Sequence, residues 1–163
     1  MGWYPGAARG YPRRVPEILI ATDSESVYDE VNSVIARPGT LIRRVRSGAA
    51  VRESVNAQPV DLVVVDLQIG SMGGFAVALD LRLEVDAGRL DPARILLLLD
   101  RRADVFLARR AGVDGWLVKP LDPIRVRRAV GALLDGGNYH DTTDLPQPVA
   151  VPFSSDKVEA TGK

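Results

Sequence analysis

Asp66 closes the apolar run Leu62-Val63-Val64-Val65 and opens the stretch Asp66-Leu67-Gln68-Ile69-Gly70-Ser71-Met72-Gly73-Gly74. A carboxylate at the tip of a buried strand, leading into a glycine-containing loop, is poorly placed for packing. It is well placed for chemistry, because open parallel sheets bind ligands at the carboxyl ends of their strands. A second apolar run, Trp116-Leu117-Val118, ends in Lys119-Pro120, and a third, Ile18-Leu19-Ile20, ends near Asp23. Two acids and a lysine on three strand tips describe a site for a divalent metal and a phosphoryl group. A carboxylate nucleophile can form an acyl phosphate. Magnesium takes hard oxygen ligands, and a lysine ammonium neutralises phosphoryl charge as a flexible point charge.

The elements that must hold these residues alternate along the chain. Strands are expected at Val15 to Ala21, Thr40 to Arg46, Asp61 to Val65, Arg94 to Leu99 and Trp116 to Val118. Between them lie helical patterns. Ser24 or Asp23 can cap a helix with Val27, Val31, Val34 and Ile35 on one face. Further helices are expected at Ala49 to Ala57, Gly74 to Val85 and Ala103 to Ala111, the last stopped by Gly112. Pro123 opens a final helix, to about Leu134, at the favoured first position. Five β–α units with near-continuous apolar strands imply a doubly wound parallel sheet covered on both faces, an α/β fold. Ile95 to Leu99 suits a central strand, and the arginine-bearing second strand an edge.

The chain has 163 residues with 46% hydrophobic content, which suits one domain of about residues 15–137 plus tails. Residues 1–14, rich in Gly, Pro, Arg and aromatics, read as a flexible arm, and 138–163 as a disordered acidic tail. There are no cysteines, so disulfides, thiolate metal sites and cysteine nucleophiles are excluded. No apolar run reaches a membrane span and no signal-peptide pattern opens the chain, so a cytoplasmic protein is expected. Formal net charge is zero, yet residues 101–128 carry eight bases against three acids, and the segment from Asp135 onward carries five acids against two lysines. Such asymmetry bears on partners.

Taken together and in order, these residues resemble the receiver domain of two-component response regulators, over roughly residues 15 to 135. Asp66 matches the phosphoacceptor, and Asp66 to Gly74 follows the family loop D-x-x-M-P-x-M-D-G without a gap, with Ile69, Gly70 and Gly73 replacing its Met, Pro and Asp. Lys119-Pro120 matches the family's Lys-Pro pair, and Ala111-Gly112 with Gly115 the turn before it. Trp116 falls where the family carries an aromatic that changes rotamer on activation. The resemblance implies a five-stranded (βα)5 flavodoxin-like receiver fold. It also implies Mg2+ held by Asp23, Asp66 and the Gln68 carbonyl, Lys119 as charge partner, and a histidine kinase or phosphotransfer protein as donor.

Three departures qualify that picture. The family's adjacent acid pair after strand one reads Thr22-Asp23 here, so one metal-binding acid is gone and Mg2+ binding is weakened. No Ser or Thr occurs between Ser71 and Thr142, so the hydroxyl that normally ends strand four is missing. Leu98 or Leu99 takes its place, and neither can donate a hydrogen bond. Asp100 follows immediately. It can restore a carboxylate to the site or cap the next helix, and capping is the favoured reading.

The remaining candidates concern partners. In receivers the face built from the fourth helix, fifth strand and last helix commonly serves dimers or output partners. Here it would carry Arg109, Arg110, Arg125, Arg127 or Arg128 around Trp116. That suits a homodimer, an acidic partner or the chain's own acidic tail. Trp116 reads as a packing partner of the last helix, a switch, or an interface anchor. Nucleic acid ranks third, since no recognition motif accompanies the charge. His140, the only histidine, is expected to be neither ligand nor base. The expectation is thus an atypical stand-alone phosphorelay receiver without catalytic turnover, phosphorylated on Asp66. The rival is a pseudo-receiver that works through its arginine-rich face without phosphorylation.

Overall fold

A computed structural model describes residues 14–143. The expected N-terminal arm lies outside the described residues apart from Arg14, as does the expected tail beyond Thr143. The five expected strands are all present: β1 (Glu17–Ala21), β2 (Leu41–Val45), β3 (Leu62–Asp66), β4 (Arg94–Leu99) and β5 (Gly115–Val118). They form a parallel sheet in the order β2-β1-β3-β4-β5, extended by a sixth strand beyond β5. The helices are α1 (Glu25–Ile35), α2 (Ala49–Ala57), α3 (Gly74–Asp86), α4 (Val105–Arg110) and α5 (Pro123–Leu134). Ser24 caps α1 by accepting the Val27 N–H, and Asp122 caps α5 by accepting the Arg125 N–H at 2.9 Å.

The apolar strands are continuous because the sheet is covered twice. Leu97 and Leu99 of β4 pack with Val65 against Val51, Val77, Leu81 and Ala108, on the α2, α3 and α4 side. Leu96 and Leu98 pack with Val64 against Val31, Val126 and Leu133, on the α1 and α5 side. Every position of β3 is buried, so its pleat places apolar side chains in both layers. The arginine-bearing β2 lies at one edge, as expected, and Arg43 and Arg44 are only partly buried there.

Two expectations need correcting. The helix expected from Ala103 begins as a 3-10 turn, Arg102–Asp104, before α4, so the α-helical part is only six residues long. The chain after residue 138 was expected to be disordered, yet Tyr139–His140 forms strand β6, pairing parallel with β5 in the register Gly115↔Tyr139 and Trp116↔His140. The physical reason is the open edge of β5. The Tyr139 N–H donates to the Asp114 carbonyl at 3.1 Å and the Asp141 N–H to the Trp116 carbonyl at 3.2 Å.

Candidate functional site

Four strand ends converge at the carboxyl edge of the sheet. Asp66 is the last residue of β3, Thr22 follows β1, and Asp100 follows β4. Lys119 follows β5, and its bond to Pro120 is cis. The loop after Asp66 returns tightly, because α3 starts against that strand end. A Cβ on Gly74 would lie 2.9 Å from the Asp66 carbonyl oxygen, so only glycine fits there.

Asp66 is only 2% exposed, and both its oxygens are occupied. Oδ1 accepts from the Lys119 ammonium at 2.7 Å and from the Gln68 N–H at 3.2 Å. Oδ2 accepts from the Thr22 hydroxyl at 2.8 Å, and Thr22 is fully buried. Lys119 also donates to Asp100 Oδ1 at 3.0 Å, while the Gln68 side-chain amide donates to Asp100 Oδ2 at 2.8 Å. One ammonium therefore serves two carboxylates. Burial works against the Lys119 charge, but hydrogen bonds and charges from Asp66 and Asp100 reverse that and raise its pKa above the ordinary lysine value. Burial likewise acts to raise the Asp100 carboxyl. The Gln68 amide and Lys119 outweigh it and hold Asp100 below the usual carboxylate value.

The structure brings Asp66, Lys119 and Gln68 together, with Asp23 at the rim, where it is exposed and accepts the Gly70 N–H at 3.1 Å. It corrects two readings of the β4 end. Asp100 does not cap the following helix, for neither the 3-10 turn nor α4 has a side-chain cap; it turns to Lys119 instead. Leu99 stays in the core, fully buried, and its carbonyl accepts the Lys119 N–H at 2.8 Å. Asp100, one residue on, is the side chain that reaches the site from β4.

Residues 18–131 match the model of the response regulator receiver domain. The chain belongs to this family. Receiver domains are signalling domains of two-component systems rather than enzymes of turnover, they interact with histidine kinases or phosphotransfer proteins, and they generally bind Mg2+ at an acidic site. Among curated relatives, the chain is 29% identical over 120 residues to the transcriptional regulatory protein YvrH of Bacillus subtilis, covering 72% of this chain and 48% of that protein. It is 28% identical over 116 residues to the response regulator PmrA of Pseudomonas aeruginosa, covering 71% and 51%. The chain thus spans about half the length of the curated relatives it matches. Among solved structures, it superposes on the chemotaxis response regulator CheY4 of Vibrio cholerae with a TM-score of 0.64 at 20% identity, over 73% of this chain and 98% of that one. The receiver domain of AraT from Geobacillus stearothermophilus gives 0.63 at 22%, over 75% and 95%. At that identity the likeness concerns the fold alone. Among the described residues, no helix is long and apolar enough to cross a membrane.

Against the receiver family's Mg2+, this chain's donor set is a poor fit. Among the described residues no group of three or more His, Cys, Asp or Glu could hold a metal ion. Thr22 presents a hydroxyl where an acid would bind, and that hydroxyl already donates to Asp66. Magnesium demands near-ideal octahedral oxygen geometry, whereas the Asp66 oxygens are engaged by an ammonium, a hydroxyl and an amide.

The arginine-rich face is also rearranged. Trp116 is 2% exposed, so it is no surface anchor, and it packs on the α4 side of the sheet rather than against α5. Its ring stacks on His140, with centroids 4.0 Å apart and planes 10° off parallel, and the Arg109 guanidinium lies 5.7 Å from its centroid. Arg110 lies over Phe106 at 5.6 Å. Arg125 is turned inward, donating to the Asp141 carboxylate and to the Pro120 carbonyl at 2.8 Å. Arg127 and Arg128 are exposed. Sequence reasoning missed two working residues. Thr22 was noted only as an absent acid. Asp141 fell in a segment expected to be disordered, and a two-residue strand leaves no periodicity to detect.

Proposed function

We propose that this receiver domain is a protein-interaction module whose site is held in one state by its own side chains, without phosphoryl transfer. One observation carries the reading: Asp66 is buried with both oxygens hydrogen-bonded, and the lysine meant for a phosphoryl group is shared with Asp100. A phosphoryl group bonded to Asp66 would bring further negative charge beside the Asp100 carboxylate. Each unit-charge repulsion at about 4 Å is worth about 4 kcal/mol at an effective dielectric of about 20. No hydroxyl at the β4 end offsets it. The module then acts through what docks on its surface.

The Asp66–Lys119 contact, at the strand tips where receivers carry out phosphotransfer, favours a second reading. In it Asp66 accepts a phosphoryl group from a histidine kinase or phosphotransfer protein, Mg2+ sits on Asp23, Asp66 and the Gln68 carbonyl, and a homodimer forms through α4, β5 and α5. Thermal unfolding with and without millimolar Mg2+ separates the two. A cation at ten times its dissociation constant would raise the melting point by roughly 5 °C. The self-satisfied site predicts no shift beyond that produced by an equal ionic strength of sodium chloride. A Mg2+-specific rise that Asp66→Asn removes supports the phosphoacceptor instead.

A further inference from the structure

We infer that the outer edge of β5 is a docking site for an extended segment in which a planar ring is followed directly by a carboxylate. Tyr139-His140-Asp141 fills it within the chain, and a protein partner carrying the same pattern takes it by displacement.

The site is built for such a segment at four points. The β5 edge offers the Asp114 and Trp116 carbonyls, which accept the N–H groups of Tyr139 and Asp141. Gly115 lets the segment approach, since a Cβ there would lie 2.7 Å from the Tyr139 carbonyl oxygen. Trp116 supplies a flat surface that His140 covers at 4.0 Å. The carboxylate is then held by fixed donors. Asp141 Oδ2 accepts from the Val118 N–H at 3.0 Å and from the Arg125 guanidinium, and Arg102 donates to the Asp141 carbonyl at 3.3 Å. The Asp141 side chain thus replaces the next backbone acceptor of the ladder and ends it.

The chemistry selects for the acid. Asp141 is 3% exposed, and Thr143 satisfies its other oxygen through both its N–H, at 3.1 Å, and its hydroxyl, at 2.6 Å. An amide in its place could accept from Val118 but would leave the Arg125 charge uncompensated. The occupant is also exchangeable. β6 has only two residues, so its hold depends on the ring stack and the carboxylate more than on a ladder. Arg109, exposed and 5.7 Å from the Trp116 ring, favours an acidic incoming chain.

The inference does not depend on whether Asp66 is phosphorylated. The probe is a fluorescently labelled, end-blocked peptide, Asn-Tyr-His-Asp-Thr-Thr, titrated by anisotropy against the full chain and its Asp141→Asn variant. Weakening the internal occupant should tighten peptide binding at least about tenfold, the effect of one charge-assisted hydrogen bond. A peptide with Asn for its Asp should bind Asp141→Asn at least about tenfold more weakly than the parent. His140→Ala, which removes the ring stacked on Trp116 from an exposed position, gives the same comparison should Asp141→Asn fail to fold. Equal affinity of parent and Asn peptides, or no gain over wild type in a folded variant, overturns the inference. A phosphoryl adduct on Asp66 leaves it standing, and equal peptide affinities leave the reading of Asp66 standing.

Discussion

Lys119 is the residue on which the site turns, because its single charge balances two acids. Replacing it with methionine keeps its length but leaves Asp66 buried without a counter-charge, and breaking such a pair costs about 3 kcal/mol or more. Chemical denaturation of Lys119→Met should show that loss, and Asp66→Asn in the same chain should recover part of it. A recovery of zero would mean that the two side chains are not coupled. The pH dependence follows from the directions of the shifts. Asp100 sits below its ordinary 3.8, so its contribution is complete above that value and is lost as the pH falls through its lowered pKa. Lys119 sits above its ordinary 10.5, so its contribution is complete below that value and is lost as the pH rises through its raised pKa. The stability difference between wild type and Lys119→Met should therefore be flat through the neutral range, shrinking only below about pH 4 and above about pH 10. Asp66 and Lys119 sit at the strand ends where the sequence put them, because apolar runs mark strand tips. Asp100 reads equally as a cap because it is an acid before a helix, but Arg101 takes the cap position and Asp100 accepts from Lys119 and Gln68.

Among the elements, β6 is the one the sequence did not disclose. Other elements were legible: β3 and β4 are apolar runs, and Pro123 marks the start of α5. A two-residue strand carries no such pattern, and its stability comes from side chains on other elements, namely Trp116, Arg125 and Arg102. Gly115→Ala should therefore act on β6 more than on β5. The added methyl meets the Tyr139 carbonyl at 2.7 Å and the Leu133 side chain at 3.3 Å, an overpacking that costs about 1–3 kcal/mol. In a Trp3→Phe background, which leaves Trp116 as the only tryptophan, acrylamide quenching should rise as His140 leaves the ring. Unchanged quenching in a folded Gly115→Ala variant would show that β6 does not shield Trp116. Acid should act in the same direction. Burial acts to raise the Asp141 carboxyl, but Thr143, the Val118 N–H and Arg125 outweigh it and set it below 3.8. Its hold on β6 is therefore complete above that pH and fails as the pH drops through the lowered value.

At the level of the whole molecule, the doubly wound sheet was legible because its strands are buried on both faces and so read as unbroken apolar runs. The charge asymmetry was legible too, but not its resolution. Arg101 pairs with Asp104, Lys119 with Asp66 and Asp100, and Arg125 with Asp141, so part of the basic excess of residues 101–128 is internally balanced, although Asp114 serves Arg82 and Arg94 outside that segment. Arg109, Arg110, Arg127 and Arg128 remain exposed, and Arg109 lies over the Trp116 ring of β5. The proposed interaction module presents its surface without a chemical switch, which requires that Asp66 stay unphosphorylated. The direct test is intact mass after incubation with magnesium and a small-molecule phosphodonor, for wild type, Asp66→Asn and the double variant Thr22→Asp with Asp100→Thr. The double variant restores the acid pair and the hydroxyl of the receiver family. No phosphoryl adduct is expected on wild type or Asp66→Asn, and an adduct is expected on the double variant. An adduct on wild type that Asp66→Asn abolishes would show that Asp66 is a working phosphoacceptor.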